Sequence, residues 1–470
     1  MKTLLMKFGG SSIGITPGIT QLLSIVLHES PRWDQIILVV SALDGITDQL
    51  IEASQFALMS NSRGYRRIVA TVRTRHVSLI SDLPFGVNER SALQTDIDRI
   101  LFDLHDACQQ LSETTERKNT NQIIDRITGS GERLTARIIA ALLRQNHLRA
   151  VALDATDLIV TDDISGSATP LLPLTQARVD ERLKPLLNRS IIPVITGFIA
   201  ATPTGTPTTL GRGGSDYTAS IIAACVDAAE VWMYADVDGM MSADPKELPE
   251  AQVIPFLSYE EVAEMAFYGA RILHARMIAP LRDRHIPLRV KNVFRPALHG
   301  TVIDDRIPQP GLKGVTVIEG LALTAPRSGS LMALGSFVET AFSRETGGRL
   351  EVMITTQSAT HSLVCFVVPT YIGPDAQHLL QAALAPSLAQ IDDGIVWSME
   401  AVGIVTAVGA EVGSNLPQMA QILARLEGLA LYACARNPSN CSLSVIVPLH
   451  HVETAASRIH EMIANQNRLR

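Results

Sequence analysis

Between Thr209 and Ser220 the chain reads TLGRGGSDYTAS, which gathers three glycines, an arginine, an aspartate and several hydroxyls. The spacing is not G-x-x-x-x-G-K-[ST], so the stretch is no P-loop. Gly211, Gly213 and Gly214 form a pliant loop, and Ser215 and Asp216 begin a helix whose free N–H groups and dipole make an anion site. Arg212 offers a planar fork suited to a carboxylate. Asp216 alone reads as an ordinary acid of a first helical turn. Beside a phosphate it would be repelled unless a cation or a transferring group lay between them. The density of groups favours a functional loop.

Four other stretches carry comparable chemistry. In MKFGGSS, Lys7 lies inside an apolar strand and needs a partner, which a phosphate would supply. Gly9 and Gly10 let backbone N–H groups approach an anion closely. Taken alone, K-F-G-G reads as a strand running into a turn. In VVSALDGIT, Ser41 and Ala42 follow an apolar run, and Thr47 either caps the next helix or serves a ligand. Glu132 opens a helix in GSGERLTARIIAALL, where the macrodipole stabilises a carboxylate and suffices to explain it locally. YADVDGMMSADPK echoes a calcium loop, but Met240 and Met241 stand where a ligand and a glycine are required. A polar loop lying against a nucleotide suits that stretch better, and no resident metal site is expected. A lysine and glycine loops for phosphate, an arginine for a carboxylate, and acids to orient Mg²⁺ together suit phosphoryl transfer.

These groups sit where apolar runs end. KTLLMKF, QIILVVSAL, RAVALDA, IIPVITGFIA, EVWMYADV and PLRVKNV read as buried strands. Helical patterns separate them at 17–29, 132–145, 215–225 and 259–284, with a helical excursion over 60–119. Such alternation implies an α/β fold with a mostly parallel sheet sandwiched by helices. Ligands of such sheets bind outside the carboxyl ends of the strands. After PQPGLKG the pattern changes to two successive β-α-β-β units, the first with a helix in GSFVETAFSRE. The expected division is 1–305, 312–392 and 396–470.

Composition narrows the function classes. The chain has 470 residues, 46% of them hydrophobic and 19% charged, which suits large packed cores. A net charge of −7 supplies no basic field for nucleic acid. Five scattered cysteines without a C-x-x-C pair fit reduced thiols. The opening MKTLLMKFGG is not expected to act as a signal peptide, and no apolar run approaches the length that spans a bilayer. A cytoplasmic protein without membrane partners is expected.

The motif set resembles that of the aspartate kinases in the amino-acid kinase family. KFGGSS, GRGGSDYTA, ADVDGMMSADP, YGARILHARM and VKNVFRPALHGT follow the family's order over residues 5–301, and the tail resembles its tandem ACT (ferredoxin-like α+β) domains. The resemblance implies phosphoryl transfer from Mg-ATP to the side-chain carboxylate of L-aspartate, with 4-phospho-L-aspartate as product. Such a step opens lysine, threonine and methionine synthesis. Lys7 and Asp216 would be catalytic. Thr47, Glu132, Phe198, Arg212 and Ser215 would bind aspartate. Gly9, Gly10, Ser41, Ala42, Ala235, Asp236, Met241, Lys246 and Arg271 would bind the nucleotide. Ala235, Met241, Arg271 and Ala275 depart from the family pattern on the nucleotide side. The resemblance also implies a homodimer or higher homo-oligomer with a threonine or lysine effector. Val352 stands near a position where lysine-sensitive members carry an acid, which favours threonine, or no strong inhibition, over lysine alone. The length leaves no room for a dehydrogenase domain after the tail, so a monofunctional kinase is expected. Another amino-acid kinase, acting on glutamate, acetylglutamate or UMP, and a decayed amino-acid sensor are the alternatives.

Overall fold

The computed structural model describes the chain except residues 115–116, 271, 326–337, 339, 341–350, 368–397 and 469–470, and the side chains of 117–119, 325, 351–352 and 465–468. The described residues form two compact units that are not linear stretches. The first comprises Met1–Met240, Val253–Tyr259 and Ile272–Ile307, and the second Met241–Gln252, Glu260–Arg271 and Pro308–Arg470.

The first unit is built on an eight-stranded sheet. Its strands are β1 (Thr3–Phe8), β2 (Gln35–Val40), β3 (Ala150–Leu153), β4 (Ile192–Thr196), β7 (Glu230–Ala235), β8 (Phe256–Leu257), β9 (Leu288–Asn292) and β10 (Thr301–Ile303). A short hairpin, β5 (Ile199–Ala201) with β6 (Pro207–Thr209), stands beside them. The order is β3-β4-β2-β1-β7-β9-β10-β8, parallel throughout except for β9 with β10. Leu4, Leu5, Met6 and Phe8 of β1 are fully buried, as are Ile37 to Val40 of β2. Strands covered on both faces are apolar at successive positions, and that makes them legible as continuous runs. The chain leaves β1 for β2 on one side and reaches β7 on the other, so β1 marks the switch point. Register aligns the strand ends: Phe8 is level with Val40 and Tyr234, and Val40 with Thr196.

Helices Thr16–Glu29, Ser130–Gln145 and Gly214–Val226 agree with expectation, and the excursion holds Ser62–Asp82, Val87–Glu113 and Arg117–Thr128. The pattern over 259–284 is not one helix. It divides into Tyr259–Phe267, a 3-10 turn at Ala275–Met277 and Ile278–Arg282, because Gly269 takes φ 107, which no helix accommodates. The run IIPVITGFIA likewise divides between β4 and β5, with Phe198 between them at φ 68.

The second unit carries a six-stranded antiparallel sheet in the order β12-β13-β11-β14-β16-β15. The strands are β11 (Gly314–Ala325), β12 (Glu351–Gln357), β13 (Ser362–Val367), β14 (Ser398–Val408), β15 (Ala433–Arg436) and β16 (Ser442–Pro448). The two repeats meet through their first strands, β11 and β14, paired from Gly314↔Val408 to Thr324↔Ser398. Helix Leu416–Arg425 follows β14, and Val452–Arg468 closes the chain. The helix expected in GSFVETAFSRE lies outside the described residues, apart from Val338 and Thr340. Ala243 and Leu248 of the Met241–Gln252 segment join the core of this unit with Val405, Val445 and Ile459. Ser242 Oγ meets His460 Nε2 at 2.8 Å, and Lys313 Nζ meets the buried Glu261 Oε2 at 2.7 Å.

Candidate active site

The carboxyl ends of β1, β2, β4 and β7 bring together most of the residues singled out in the sequence. Lys7, the penultimate residue of β1, points its Nζ at Asp216 Oδ1 at 2.5 Å, and both side chains are nearly buried, at 12% and 11% exposure. Asp216 is in the first turn of helix Gly214–Val226, where the helix dipole stabilises its charge. Lysine in a buried strand thus finds its partner in the protein. Gly9 follows β1, with its N–H on the Tyr234 carbonyl at 3.4 Å and its α-carbon region 3.5 Å from Lys7 Nζ by the position a Cβ would take. Ser41 N–H donates to the Phe8 carbonyl at 3.2 Å, joining the end of β2 to the end of β1.

Glu132 lies in the first turn of Ser130–Gln145 and reaches back to that junction. Its Oε1 accepts the Ala42 N–H at 3.1 Å. Burial pushes its carboxyl up to about 7, against the pull of that bond and of the Lys7 charge. Its Oε2 is buried without a hydrogen-bond partner. A buried polar atom without a partner marks a place for a ligand's donor.

Thr47 is the second residue of helix Ile46–Leu58, half-buried, and it does not cap it. The cap position falls on Gly45, whose φ of 71 turns the chain into the helix, so of the two readings of Thr47 the cap is excluded. Phe198 holds its left-handed backbone through its N–H on Thr218 Oγ1 at 3.1 Å and its carbonyl on the Leu210 N–H at 2.9 Å. A non-glycine residue in that region is strained and tends to occur at functional sites.

The Gly211–Ser215 loop leads from β6 into the Asp216 helix. Arg212 is exposed and, among the described residues, makes no hydrogen bond or ion pair. Gly213 has φ 69, and a Cβ there would stand 2.3 Å from that of His274. Gly213→Ala is therefore expected to cost about 1–3 kcal/mol of stability, read as a lower urea midpoint at unchanged slope.

Ala235 and Asp236 stand at the end of β7, Asp236 exposed. Neighbouring Asp238 is held by Asn292 Nδ2 at 2.7 Å and Arg295 at 2.7 Å. Met241 and Lys246 belong to the second compact unit, Lys246 in a turn where its N–H meets Asp244 Oδ1 at 2.9 Å. Arg271 lies outside the described residues. Two residues not singled out from sequence also act at this loop. Asp125 Oδ1 accepts from Thr209 Oγ1 at 2.6 Å, and Arg276 Nη1 donates to the Leu210 carbonyl at 3.0 Å. Arg276 lay within a quoted motif, whereas Asp125 in NQIIDRIT carries no local signal.

The model of the amino acid kinase family matches residues 2–292. The chain belongs to that family. Among its relatives it is similar to the chloroplastic bifunctional aspartokinase/homoserine dehydrogenase 1 of Arabidopsis thaliana, at 29% identity over 97% of the chain and 50% of the relative. It is 32% identical to the aspartokinase of Chlamydia muridarum over 68% of each chain. The chain spans about half the length of the bifunctional relatives it matches. In fold it superposes on E. coli aspartokinase III in complex with aspartate and ADP (R-state), at TM-score 0.80 and 22% identity, covering 98% of this chain and 99% of that one. Among the described residues no helix is long and apolar enough to cross a membrane.

Proposed function

We propose that this amino acid kinase is an aspartate kinase, transferring the γ-phosphoryl group of Mg-ATP to the side-chain carboxylate of L-aspartate. The observation that carries the reading is the Lys7–Asp216 pair at the switch point, with Glu132 bonded to the nearby Ala42 N–H and the Arg212 loop leading into the Asp216 helix. The named relatives and the aspartate- and ADP-bound neighbour support it.

The nucleophile is already ionised near neutral pH, so its oxygen attacks phosphorus without giving up a proton. The Pγ–O bond to the leaving ADP breaks as the new O–P bond forms. No general base is needed, and Asp216, tied to Lys7, is free of that task. What remains is to neutralise charge spreading over the phosphoryl oxygens. Lys7 and the Gly10 N–H would do this, with Gly9, Ser41, Ala42, Ala235 and Asp236 beside the nucleotide at the strand ends. Met241, Lys246 and Arg271 complete the proposed nucleotide set. Magnesium enters as part of the nucleotide substrate.

Glu132 Oε2 would take the substrate ammonium group, and Arg212 the α-carboxylate in a bidentate pair. Thr47, Phe198 and Ser215 would line the same pocket. Threonine or lysine at the ACT pair is the proposed effector class, in a cytoplasmic homodimer or larger assembly. A thermal-shift screen separates the two amino acids, because a ligand that binds the folded state raises its apparent stability.

A coupled assay with aspartate, ATP and hydroxylamine tests the function. A hydroxamate should form with aspartate and not with glutamate or acetylglutamate, and UMP should not stimulate ADP release. A wild-type protein that binds ATP yet yields no hydroxamate would reject the reading in favour of a decayed sensor. In the same assay Arg212→Ala should raise KM for aspartate by roughly 10²-fold and change KM for ATP by less than about threefold.

A further inference from the structure

Thr209, the last residue of β6, and Leu210, which follows it, are each fixed by a side chain from a distant part of the chain. Asp125, in helix Arg117–Thr128, is buried at 3% exposure, and its Oδ1 accepts from Thr209 Oγ1 at 2.6 Å. The same carboxylate accepts the Gly166 N–H, at 3.1 and 3.2 Å to its two oxygens. At the next residue Arg276 Nη1 donates to the Leu210 carbonyl at 3.0 Å, and Nη2 to Ser167 Oγ at 3.2 Å. The turn at Gly166 and Ser167 therefore links both anchors, and Ala168 N–H ties it again to the Thr209 carbonyl at 2.9 Å. Gly214 N–H on the Gly211 carbonyl, at 2.9 Å, closes the loop that presents Arg212.

A carboxylate buried this deeply is costly, and burial pushes Asp125 up to about 6 despite the bonds that oppose it. Its bonds to the Gly166 N–H and the Thr209 hydroxyl offset part of that cost. The acid's partners are not scattered over the core. They lie on Thr209, just ahead of Arg212, and on the turn packed against Gly211, and that placement needs an explanation beyond packing.

We propose that Asp125 and Arg276 are positioning residues for substrate binding, holding the start of the Arg212 loop at Thr209 and Leu210 in the shape that grips the α-carboxylate of the acceptor. The inference rests on the reading of Arg212 as that anchor. Neither residue touches substrate, and both act through Arg212.

The test compares KM for aspartate and for ATP in wild type, D125A, D125N, R276A, R212A and D125A/R212A, each checked for folding by its thermal transition. D125A and R276A should each raise KM for aspartate roughly tenfold, with KM for ATP within about twofold. D125N, which keeps an acceptor for the Gly166 N–H, should lie closer to wild type. In the R212A background D125A should change KM for aspartate by less than about twofold, because the group through which it acts is gone. An equal rise in both KM values, or the same rise with and without Arg212, overturns the inference. If D125A does not fold, T209V removes only the hydroxyl donor and carries the same comparison. A wild type that makes no aspartyl hydroxamate overturns the functional reading and this inference together. An active wild type with unsplit KM values overturns this inference alone.

Discussion

Lys7→Ala is expected to lower kcat by roughly 10³-fold while moving KM for aspartate by less than about threefold. The ammonium group lies in a parallel strand at the centre of the sheet, nearly buried, with the Asp216 carboxylate at 2.5 Å. A cation so placed cannot reorient towards solvent, so its charge is preorganised for phosphoryl oxygens that gain negative charge only as the bond breaks. Binding of the acceptor depends on other groups, which confines the loss to the chemical step. Asp216→Asn should be milder, since the amide keeps an acceptor for Lys7 but gives up the charge that fixes it. The double change should cost less than the product of the two single losses, because both act as one unit. Stopped-assay kinetics at saturating substrates check this, and a Lys7→Ala enzyme within tenfold of wild-type kcat would remove Lys7 from the catalytic centre.

Glu132→Gln is expected to weaken aspartate binding and to stabilise the fold in the same stroke. Losing a charge-assisted bond to an ammonium group costs about 1.5–3 kcal/mol, which raises KM for aspartate roughly 10- to 150-fold. Stability goes the other way. The Glu132 carboxyl titrates near 4.5 in the unfolded chain and at about 7 in the folded one. Below pH 4.5 both states are protonated and nothing is lost. Between the two values the unfolded state ionises first, so the wild type loses stability as pH rises, by roughly 3 kcal/mol in all. Above pH 7 the deficit is constant. Glutamine keeps the acceptor for the Ala42 N–H and carries no charge, so the variant should escape this decline. Urea melts at pH 5 and pH 8 measure the difference. A variant no more stable than wild type at pH 8 would contradict the buried-charge account. For the wild type, kcat/KM for aspartate should climb with pH through about 7, as Glu132 ionises to meet the ammonium group.

The sequence made the site's scaffold readable because its strands are buried on both faces. Leu4 to Met6 and Ile37 to Val40 are uninterrupted apolar runs, and the functional groups begin at Lys7 and Ser41, where those runs stop. Local patterns failed where a single backbone angle decides. Gly45 displaces Thr47 from the cap position, and Gly269 breaks a helix whose apolar spacing continues past it. They also failed where partners are distant. Asp125 meets Gly166 and Thr209, 41 and 84 residues away, and nothing in NQIIDRIT announces either. Membership of a compact unit was equally hidden. Ala243, Leu248 and Tyr268 are apolar residues like any others, and only the fold tells which core receives them.

That last point bears on how the protein can be dissected. The break at Pro308 looks like a natural place to sever a catalytic half from a regulatory one. Yet Met241–Gln252 and Glu260–Arg271 lie before that break and belong to the unit after it. A truncation at Pro308 would strip Glu261 of Lys313, Ser242 of His460 and Tyr268 of Asn437, and would leave Ala243 and Leu248 without the core that covers them. The second unit is thus no detachable cassette. Fusing, swapping or deleting it as a contiguous tail would leave behind two fragments of its own body, sewn into the kinase gene between the strands of the catalytic sheet.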